Sequence, residues 1–191
     1  MRSRLWSAPD LGELNGDFRV GGWENKELNP RPAAVLVPLV AHPGGCTVML
    51  TRRTDHLHHH PGQISFPGGQ MEYGEHDPIQ TAVREAEEEV GLAADLIDVV
   101  GFLDPYQTIT GFRVTPVVAM VEPGFTLEPD TFEVAEVFEV PLDFVLDPSH
   151  HRRETRILRG RPRQFYVIHY HRHRIWGATA AMLVNLHEKL Q

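Results

Sequence analysis

The stretch of 24 residues from Gly69 to Leu92 constrains this chain more than any other part of it. A glycine-containing loop comes first, and a periodic pattern of apolar and charged residues follows it. Asp77-Pro78 is a helix start signal, because Asp caps the first turn and Pro suits the first helical position. Gly91 is a stop signal, since Gly readily adopts the left-handed conformation at a helix end. The sequence therefore predicts a loop that leads directly into an amphipathic helix.

The two faces of this predicted helix differ in chemistry. At roughly 100° per residue, apolar side chains gather on one face, and Glu85, Glu88 and Glu89 gather on the opposite face. These carboxylates repel one another, and they lie near the helix C-terminus, where the helix dipole disfavours anions. A solvated acidic surface is one interpretation. A bound divalent cation is the other, because it would remove both penalties, and oxygen ligands suit Mg²⁺ or Mn²⁺.

The same stretch resembles the Nudix box, the pattern G-x5-E-x7-R-E-U-x-E-E-x-G-U, in which U is aliphatic. The matching residues are Gly69, Glu75, Arg84, Glu85, Ala86, Glu88, Glu89, Gly91 and Leu92. One departure is that eight residues, instead of seven, separate Glu75 from Arg84. The insertion falls before the helix, so we expect the carboxylate face to be undisturbed, while the role of Glu75 stays open.

A second pattern lies upstream, in residues 49–69. It is similar to L-L-T-x-R-[SA]-x3-R-x3-G-x3-F-P-G-G, which marks the coenzyme A pyrophosphatase branch of the Nudix hydrolases. The matching residues are Leu50, Thr51, Arg53, Gly62, Phe66, Pro67, Gly68 and Gly69. Met49, Thr54 and His58 depart from the pattern, and His58 stands where the pattern has Arg. The same branch resembles this chain in its one-residue box insertion and in residues 111–116 and 176–180.

The resemblance implies an α/β fold of the Nudix type, an α/β/α sandwich in which a mixed sheet lies between helices. With 191 residues, the chain is expected to form one domain over residues 1–191, with an N-terminal arm at 1–30, a core at 31–150, and a C-terminal strand and helix at 151–191. The implied activity is metal-dependent hydrolysis of the diphosphate of coenzyme A or its derivatives. The products would be adenosine 3′,5′-bisphosphate and 4′-phosphopantetheine, or its acylated form.

The resemblance further implies the residues that carry this chemistry. The implied ligands of Mg²⁺ or Mn²⁺ are Gly69 through its carbonyl, Glu85, Glu88 and Glu89. Many relatives use another acid from beyond the helix, for which Glu133 and Glu136 are the alternatives. Glu85 is the first candidate for the base, and Arg84 would orient Glu88 or Glu89. The expected substrate-binding residues are Arg53, His58, Gly62 and Arg113.

Hydrophobic periodicity outlines the remaining elements. Residues 52–76 are predicted to be a loop, and residues 176–190 are predicted to be a closing helix. Buried strands are predicted at residues 33–40, 47–51, 99–103, 112–121, 134–140 and 164–170.

Charge is distributed unevenly along the chain. Residues 1–150 carry 24 acidic and 9 basic side chains, whereas residues 151–191 carry 2 and 9. Six arginines fall between Arg152 and Arg163. One interpretation is a solvated arginine-rich hairpin, and the other is a clamp for phosphate or nucleic acid. Coenzyme A carries a 3′-phosphate, and the hypothesis is that one or more of four arginines contacts it: Arg53, Arg152, Arg153 and Arg156.

Histidines form a second unusual pattern. His169, His171 and His173 alternate, and an alternating triplet on one strand can bind zinc on one face. A polar strand face is the simpler interpretation, because no pair of cysteines accompanies the triplet.

Composition narrows the class of protein. Hydrophobic residues make up 41% of the chain and charged residues 23%, which is ordinary for a globular protein. Cys46 is the one cysteine, and the sequence shows neither a signal peptide nor a membrane-spanning apolar run, so a cytoplasmic location fits best. The expected partner is a small nucleotide substrate, with no nucleic acid and no membrane, and a homodimer is an open alternative. Two other functions stay open: a Nudix pyrophosphatase for ADP-ribose, NADH or a nucleoside triphosphate, and a silent RNA-binding module.

Overall fold

The structure is a computed structural model that describes residues 1–9, 14–16, 29–158 and 160–191. The predicted arm at 1–30 therefore lies partly outside the described residues. The strands are β1 (Asn15–Gly16), β2 (Arg31–His42), β3 (Gly45–Arg53), β4 (Ile64–Ser65), β5 (Gly68–Gln70), β6 (Ile97–Phe102), β7 (Tyr106–Gln107), β8 (Phe112–Val121), β9 (Val134–Pro141), β10 (Arg152–Leu158), β11 (Arg161–Tyr170) and β12 (His173–Trp176). The α-helices are α1 (Pro78–Val90), α2 (Leu142–Leu146) and α3 (Ala178–Leu190). None of the helices in these ranges is both long and apolar enough to span a membrane.

The first nine strands form one mixed sheet. Its centre is the parallel pair β2 and β8, with β3 antiparallel to β2 and β9 antiparallel to β3. Along its main path the order is β1-β7-β8-β2-β3-β4, while β5 pairs with β2 and β6 pairs with β8. Strand β5 matters most for the site, because its pairing with Ala34 brings Gly69 alongside the middle of the sheet.

Helices cover both faces of this sheet. Successive side chains of a strand point to opposite faces, and in β2 Leu36 and Val40 join the cluster that contains Ala86 of α1. Val37 and Leu39 join the other cluster, which contains α2 and α3 residues such as Val145, Leu183 and Leu186. This arrangement confirms the predicted α/β/α sandwich with a mixed sheet between helices.

A second, three-stranded sheet consists of β10, β11 and β12, all antiparallel. The arginine-rich segment thus forms a hairpin, as one of the two interpretations predicted. Ile168 and Ile175 are fully buried and belong to the cluster on the α3 side of the main sheet. The two buried isoleucines pack the small sheet against the core of the main sheet and α3. The arginines of the small sheet therefore project from strands that are packed in place.

The predicted strands are all present, with ends that differ by up to three residues, but two other predictions of secondary structure were wrong. Residues 52–76 are not entirely a loop, because β4 and β5 lie within them. The closing helix begins at Ala178, and Trp176 ends β12 instead, where it pairs with Val167. The physical reason is Gly177, whose φ of 67° interrupts any helix that would include both residues.

The histidine triplet does not share one strand. His169 lies in β11 and His173 in β12, and the chain reverses between them at His171, which has a φ of 50°. The zinc interpretation was wrong for this reason, and its residues form no metal-binding group within the described parts of the chain. The three alternating histidines therefore lie on two strands and the turn between them, and not on one face of a single strand.

Candidate active site

Helix α1 begins and ends where the sequence predicted. Asp77 caps it, since its Oδ1 accepts a hydrogen bond from the backbone N–H of Ile79 at 2.9 Å. Gly91 ends it in the left-handed conformation, with a φ of 69°, and its N–H donates to the carbonyl of Glu87 at 2.9 Å. These caps fix the rotation and length of α1, and hence the positions of its carboxylates.

The carboxylates of α1 differ sharply in exposure. Ala82, Ala86 and Val90 are fully buried against the main sheet, which turns the neighbouring face of α1 toward β5. Glu89 retains 7% of its accessible surface, while the side chain of Glu88 retains 60%. Sequence periodicity treated these glutamates alike, but packing places one inside the protein and the other at its surface.

Gly69 of β5 lies directly against Glu85. A Cβ atom added at residue 69 would lie 2.3 Å from Oε1 of Glu85 and 2.8 Å from its Oε2. The absence of a side chain at this position therefore makes room for the Glu85 carboxylate. The pKa of that carboxyl is raised, first by burial, although the Arg84 guanidinium partly opposes the shift.

Gly69→Ala tests this close approach. We expect the variant to fold, because the atoms it would displace are the mobile end of the Glu85 side chain, and to lose activity by roughly 10²-fold, the cost of a misplaced reacting group. Gly44→Ala is the matched control, since nothing lies within 4 Å of its added Cβ atom. Steady-state kinetics and thermal unfolding of both variants check the prediction. Full activity in Gly69→Ala would contradict a requirement for this contact.

Arg84 links three carboxylates. Its Nε donates to Oε1 of Glu75 at 2.9 Å, and its Nη1 donates to Glu85 at 3.0 Å and to Glu88 at 2.9 Å. The predicted pairing of Arg84 with Glu88 is confirmed, whereas the structure describes no contact between Arg84 and Glu89. One guanidinium therefore orients two of the three carboxylates on the helix face.

The open question of Glu75 is resolved by its partners. Besides the bond from Arg84, its Oε2 accepts hydrogen bonds from the Glu72 N–H and the Thr81 hydroxyl, both at 2.7 Å. These donors, with Arg84 first, lower the pKa of Glu75 to about 2. Glu75 thus holds Arg84 in place from the loop side, despite the one-residue insertion that separates them.

Glu89 is the most perturbed acid of the cluster. Burial, together with the nearby charges of Glu85 and Glu133, raises its pKa to about 8. Arg53 opposes the shift, with its Nη1 at 3.7 Å from Oε1 of Glu89, as does the backbone N–H of Gly68. The ionised form of Glu89 is consequently short of compensating positive charge.

Of the two alternative acids beyond the helix, Glu133 lies near Glu89. Its Oε2 is 3.6 Å from Nη2 of Arg53, which also contacts Glu89. Glu136 belongs to another ion cluster, where Oε1 lies 2.5 Å from Arg172 and 3.3 Å from His173. Glu133 is therefore the acid that geometry associates with the α1 carboxylates.

A cavity of about 520 Å³ borders this cluster. Arg53 and Gly68 line it from the upstream motif, and Arg156, Arg163 and Trp176 line it from the small sheet. His59 and His60 line it as well, and no Asp or Glu occurs among its described lining residues. Arg53 lines the cavity and also contacts Glu89, so the acidic cluster lies next to a cavity whose charged lining residues are arginines.

The predicted substrate-binding residues divide between the cavity and its surroundings. Arg53 lines the cavity, but His58, Gly62 and Arg113 are absent from its described lining. Gly62 has a φ of 66°, and an added Cβ atom there would lie 2.7 Å from Asp55, so the structure gives it a place in a tight turn. The roles of all four residues in substrate binding stay predictions.

Sequence reasoning missed several lining residues. His59 and His60, next to His58, line the cavity, and so do Arg163 and Phe165. The pattern at residues 49–69 aligned only His58 with a motif position and gave no sign of the two histidines after it. The number of arginines between residues 152 and 163 indicated only a hairpin. Nothing in the sequence indicated which arginines of that hairpin face the cavity.

Comparisons with known proteins bear on the family and the fold of this chain. A family model described as NUDIX domain matches residues 30–160. The chain is 40% identical over 163 residues, 85% of its length and 87% of the relative, to a protein of Photorhabdus laumondii named uncharacterized Nudix hydrolase NudL. The structure resembles RenU, a Nudix hydrolase from M. smegmatis, with a TM-score of 0.51, 28% identity, and coverage of 60% and 73% of the two chains. An Ap4A hydrolase of C. elegans gives a TM-score of 0.51 over 58% and 80% of the chains, and its 20% identity bears on the fold alone.

Proposed function

This chain belongs to the Nudix hydrolase family, and we propose that its substrate is coenzyme A or a coenzyme A derivative. The reaction adds water across the diphosphate: one P–O bond of the bridging oxygen breaks, and a new P–O bond forms to the oxygen of water. The products are adenosine 3′,5′-bisphosphate and 4′-phosphopantetheine, or its acylated form. A small anionic nucleotide is the partner, and neither a nucleic acid nor a membrane is required.

One observation carries this proposal. The motif typical of the coenzyme A branch supplies both Arg53 and Gly68, and each contacts Glu89 while lining the cavity. The motif at residues 49–69 thus connects the cavity to the buried carboxylate of Glu89 through Arg53 and Gly68. A diphosphate at this position would have a cation, Arg53, on the cavity side of the acidic cluster.

The residues present fit a divalent cation. The donors are all oxygens, and buried Glu89 has a pKa of about 8 because burial and two neighbouring acids disfavour its charge. Within the described chain no group of three acids or imidazoles is already gathered at metal-ligand positions. In this arrangement Arg53 and Arg84 form ion pairs with Glu89 and Glu85. The residues that would hold Mg²⁺ or Mn²⁺ are Gly69 through its carbonyl, Glu85, Glu88, Glu89 and Glu133. When bound, such a cation neutralises diphosphate charge and lowers the pKa of a water.

Three side chains of this protein then have distinct tasks. Glu85 takes the proton of the attacking water at Oε2, because its Oε1 accepts a hydrogen bond from Arg84. Arg84 orients Glu85 from one side and is itself held by Glu75 on the other. Arg53 faces the cavity and donates to a phosphate oxygen of the substrate.

A panel of substrates tests the function. The purified protein is incubated with coenzyme A, ADP-ribose, NADH and a nucleoside triphosphate, with Mg²⁺ or Mn²⁺, and the products are identified by mass spectrometry. We expect coenzyme A to have the highest kcat/KM, by about tenfold or more over the others. A reaction with EDTA in place of metal is the control, and we expect no hydrolysis there.

Each other outcome has a definite meaning. Preferred cleavage of ADP-ribose or NADH would retain the Nudix chemistry and reject the inference from residues 49–69. Hydrolysis that is undiminished in EDTA would reject the proposed use of the carboxylates. Metal-independent RNA binding with no hydrolysis of any substrate would favour the silent module.

A further inference from the structure

Two arginines face each other across the small sheet. Arg156 of β10 and Arg163 of β11 are register partners, so their side chains leave the same face of the hairpin, and both line the cavity. Like charges directly opposite each other on neighbouring strands are destabilising. An arrangement of this kind becomes favourable when an anion lies between the two guanidinium groups.

The Arg156 guanidinium is held by aromatic rings and not by a carboxylate. Its Cζ lies 5.8 Å from the ring centroid of Phe165 and 5.6 Å from that of Trp176. Both rings also line the cavity, and they pack edge to face at 5.6 Å. Cation–π contacts of this type restrict a guanidinium group without using its N–H donors. The donors of Arg156 are therefore oriented but still available for a ligand.

The neighbouring Arg174 shows the contrast. It lies over the same two rings, but its charge is compensated by Glu154, whose Oε2 is 2.5 Å from Nη2 of Arg174. Among the described residues no carboxylate lies within ion-pair distance of Arg156. Arg174 thus has Glu154 as a direct ion-pair partner, whereas Glu154 acts on Arg156 only as a nearby charge.

We propose that Arg156 and Arg163 form a second anion subsite that binds a phosphomonoester on the nucleoside half of the substrate. This inference rests on the proposed function, because the cavity joins the pair to Arg53 and the acidic cluster, where the diphosphate is cut. A guanidinium pair matches phosphate oxygens through paired N–H donors. In coenzyme A the phosphomonoester is the 3′-phosphate, so the pair discriminates it from its 3′-dephospho form.

The other two arginines of the sequence hypothesis on the hairpin do not line this cavity. Arg153 donates to the Tyr166 hydroxyl at 2.7 Å, which directs it elsewhere. Arg152 is exposed, lies four residues before Arg156 on the same strand, and is absent from the described cavity lining. Arg152 is thus a matched control for Arg156, since it shares its strand, charge and exposure.

The first experiment compares Arg156→Ala with the wild-type enzyme on coenzyme A and on 3′-dephospho-coenzyme A. Loss of a charged hydrogen-bond donor is expected to raise KM for coenzyme A about tenfold. KM for the dephospho form is expected to stay within about twofold, and kcat for both to change little, because the proposed subsite binds the 3′-phosphate and not the diphosphate that is cut. Arg152→Ala is expected to match wild type on both substrates. Arg156→Lys keeps the charge but loses the planar guanidinium group, so its KM for coenzyme A is expected to lie between those of wild type and Arg156→Ala.

The second experiment measures binding without turnover, so that it stands apart from the proposed function. In a Glu89→Gln background, isothermal titration compares adenosine 3′,5′-bisphosphate with adenosine 5′-monophosphate. We expect the bisphosphate to bind about tenfold more tightly, and Arg156→Ala to abolish that preference. This result would hold even if coenzyme A proved to be a poor substrate, in which case only the proposed function would fail.

Three outcomes would overturn the subsite. Equal losses on both substrates in Arg156→Ala would give Arg156 a general role without phosphate discrimination. No loss on either substrate, with a circular dichroism spectrum like that of wild type, would exclude Arg156 from binding. Equal affinity for the bisphosphate and the monophosphate would exclude a second anion subsite in any form.

Discussion

Glu89→Gln is expected to lower turnover by roughly 10²–10³-fold and, at the same time, to stabilise the metal-free protein. The loss of turnover follows from the proposed role of Glu89 as a cation ligand, because Gln has no negative charge. The gain in stability follows from burial, since Glu89 keeps only 7% of its surface and its pKa is raised to about 8. Gln has nearly the same shape and removes the cost of an ionised buried group.

The sign of the pH dependence follows from the direction of this shift. A carboxyl whose pKa is higher in the folded protein than in the unfolded chain binds its proton more tightly when folded. Its contribution to stability is complete below the ordinary value of 4.5 and is lost as the pH rises through about 8. The advantage of Glu89→Gln in EDTA is therefore expected to be absent near pH 4 and to grow up to about pH 8. Each kcal/mol corresponds to about 2–4 °C in Tm for a chain of this size.

Thermal unfolding of Glu89→Gln and wild type in EDTA, from pH 4 to pH 9, measures the gain in stability. Steady-state kinetics with Mg²⁺ measure the loss of turnover. Glu87→Gln is the control, because Glu87 is an exposed glutamate on the same helix and outside the box pattern. It is expected to leave both Tm and kcat unchanged. Wild-type turnover in Glu89→Gln would refute its role as a ligand, and equal Tm values at pH 8 would refute the raised pKa.

Arg84→Ala is expected to have the second largest effect, and this change lowers both activity and stability. Arg84 donates to Glu75, Glu85 and Glu88, and its loss leaves three carboxylates without their common cation. Breaking such a partly buried network costs roughly 2–4 kcal/mol in the free energy of unfolding. Turnover is expected to fall by about 10²-fold, since Glu85 loses the group that orients it. Arg84→Lys is expected to recover little, because one ammonium group cannot replace the guanidinium fork.

The pH dependence of this variant has the opposite sign to that of Glu89→Gln. Arg84 is the main cause of the lowered pKa of Glu75, which is about 2. A lowered pKa contributes stability above the ordinary value of 4.5, and the contribution is lost as the pH falls toward 2. The Tm difference between wild type and Arg84→Ala is therefore expected to narrow below pH 4.5. Arg152→Ala, which removes an exposed arginine from the small sheet, serves as the control. A Tm difference that is constant from pH 3 to pH 7 would contradict the link to Glu75.

Local signals made helix α1 predictable from the sequence. Its cap Asp77, its terminating Gly91 and its apolar spacing act within a few residues of one another, so they need no knowledge of the rest of the chain. The long strands were predictable for the same reason, because their hydrophobic runs specify buried segments. Failures occurred where one residue controls the chain direction, as at Gly177, whose positive φ of 67° separates β12 from α3.

The sequence by itself determined the family, the α/β/α sandwich and the set of carboxylates on one helix. The tertiary structure alone decided which of these carboxylates is buried: Glu89 lies next to the Gly68 N–H, while Glu88 extends into solvent. It also decided that Arg53 and Arg156, about a hundred residues apart, border one cavity. The physical reason is that periodicity and capping are local properties of the chain. Burial and charge compensation depend on contacts between distant segments, which exist only after the sheet, the helices and the arginine hairpin have packed together.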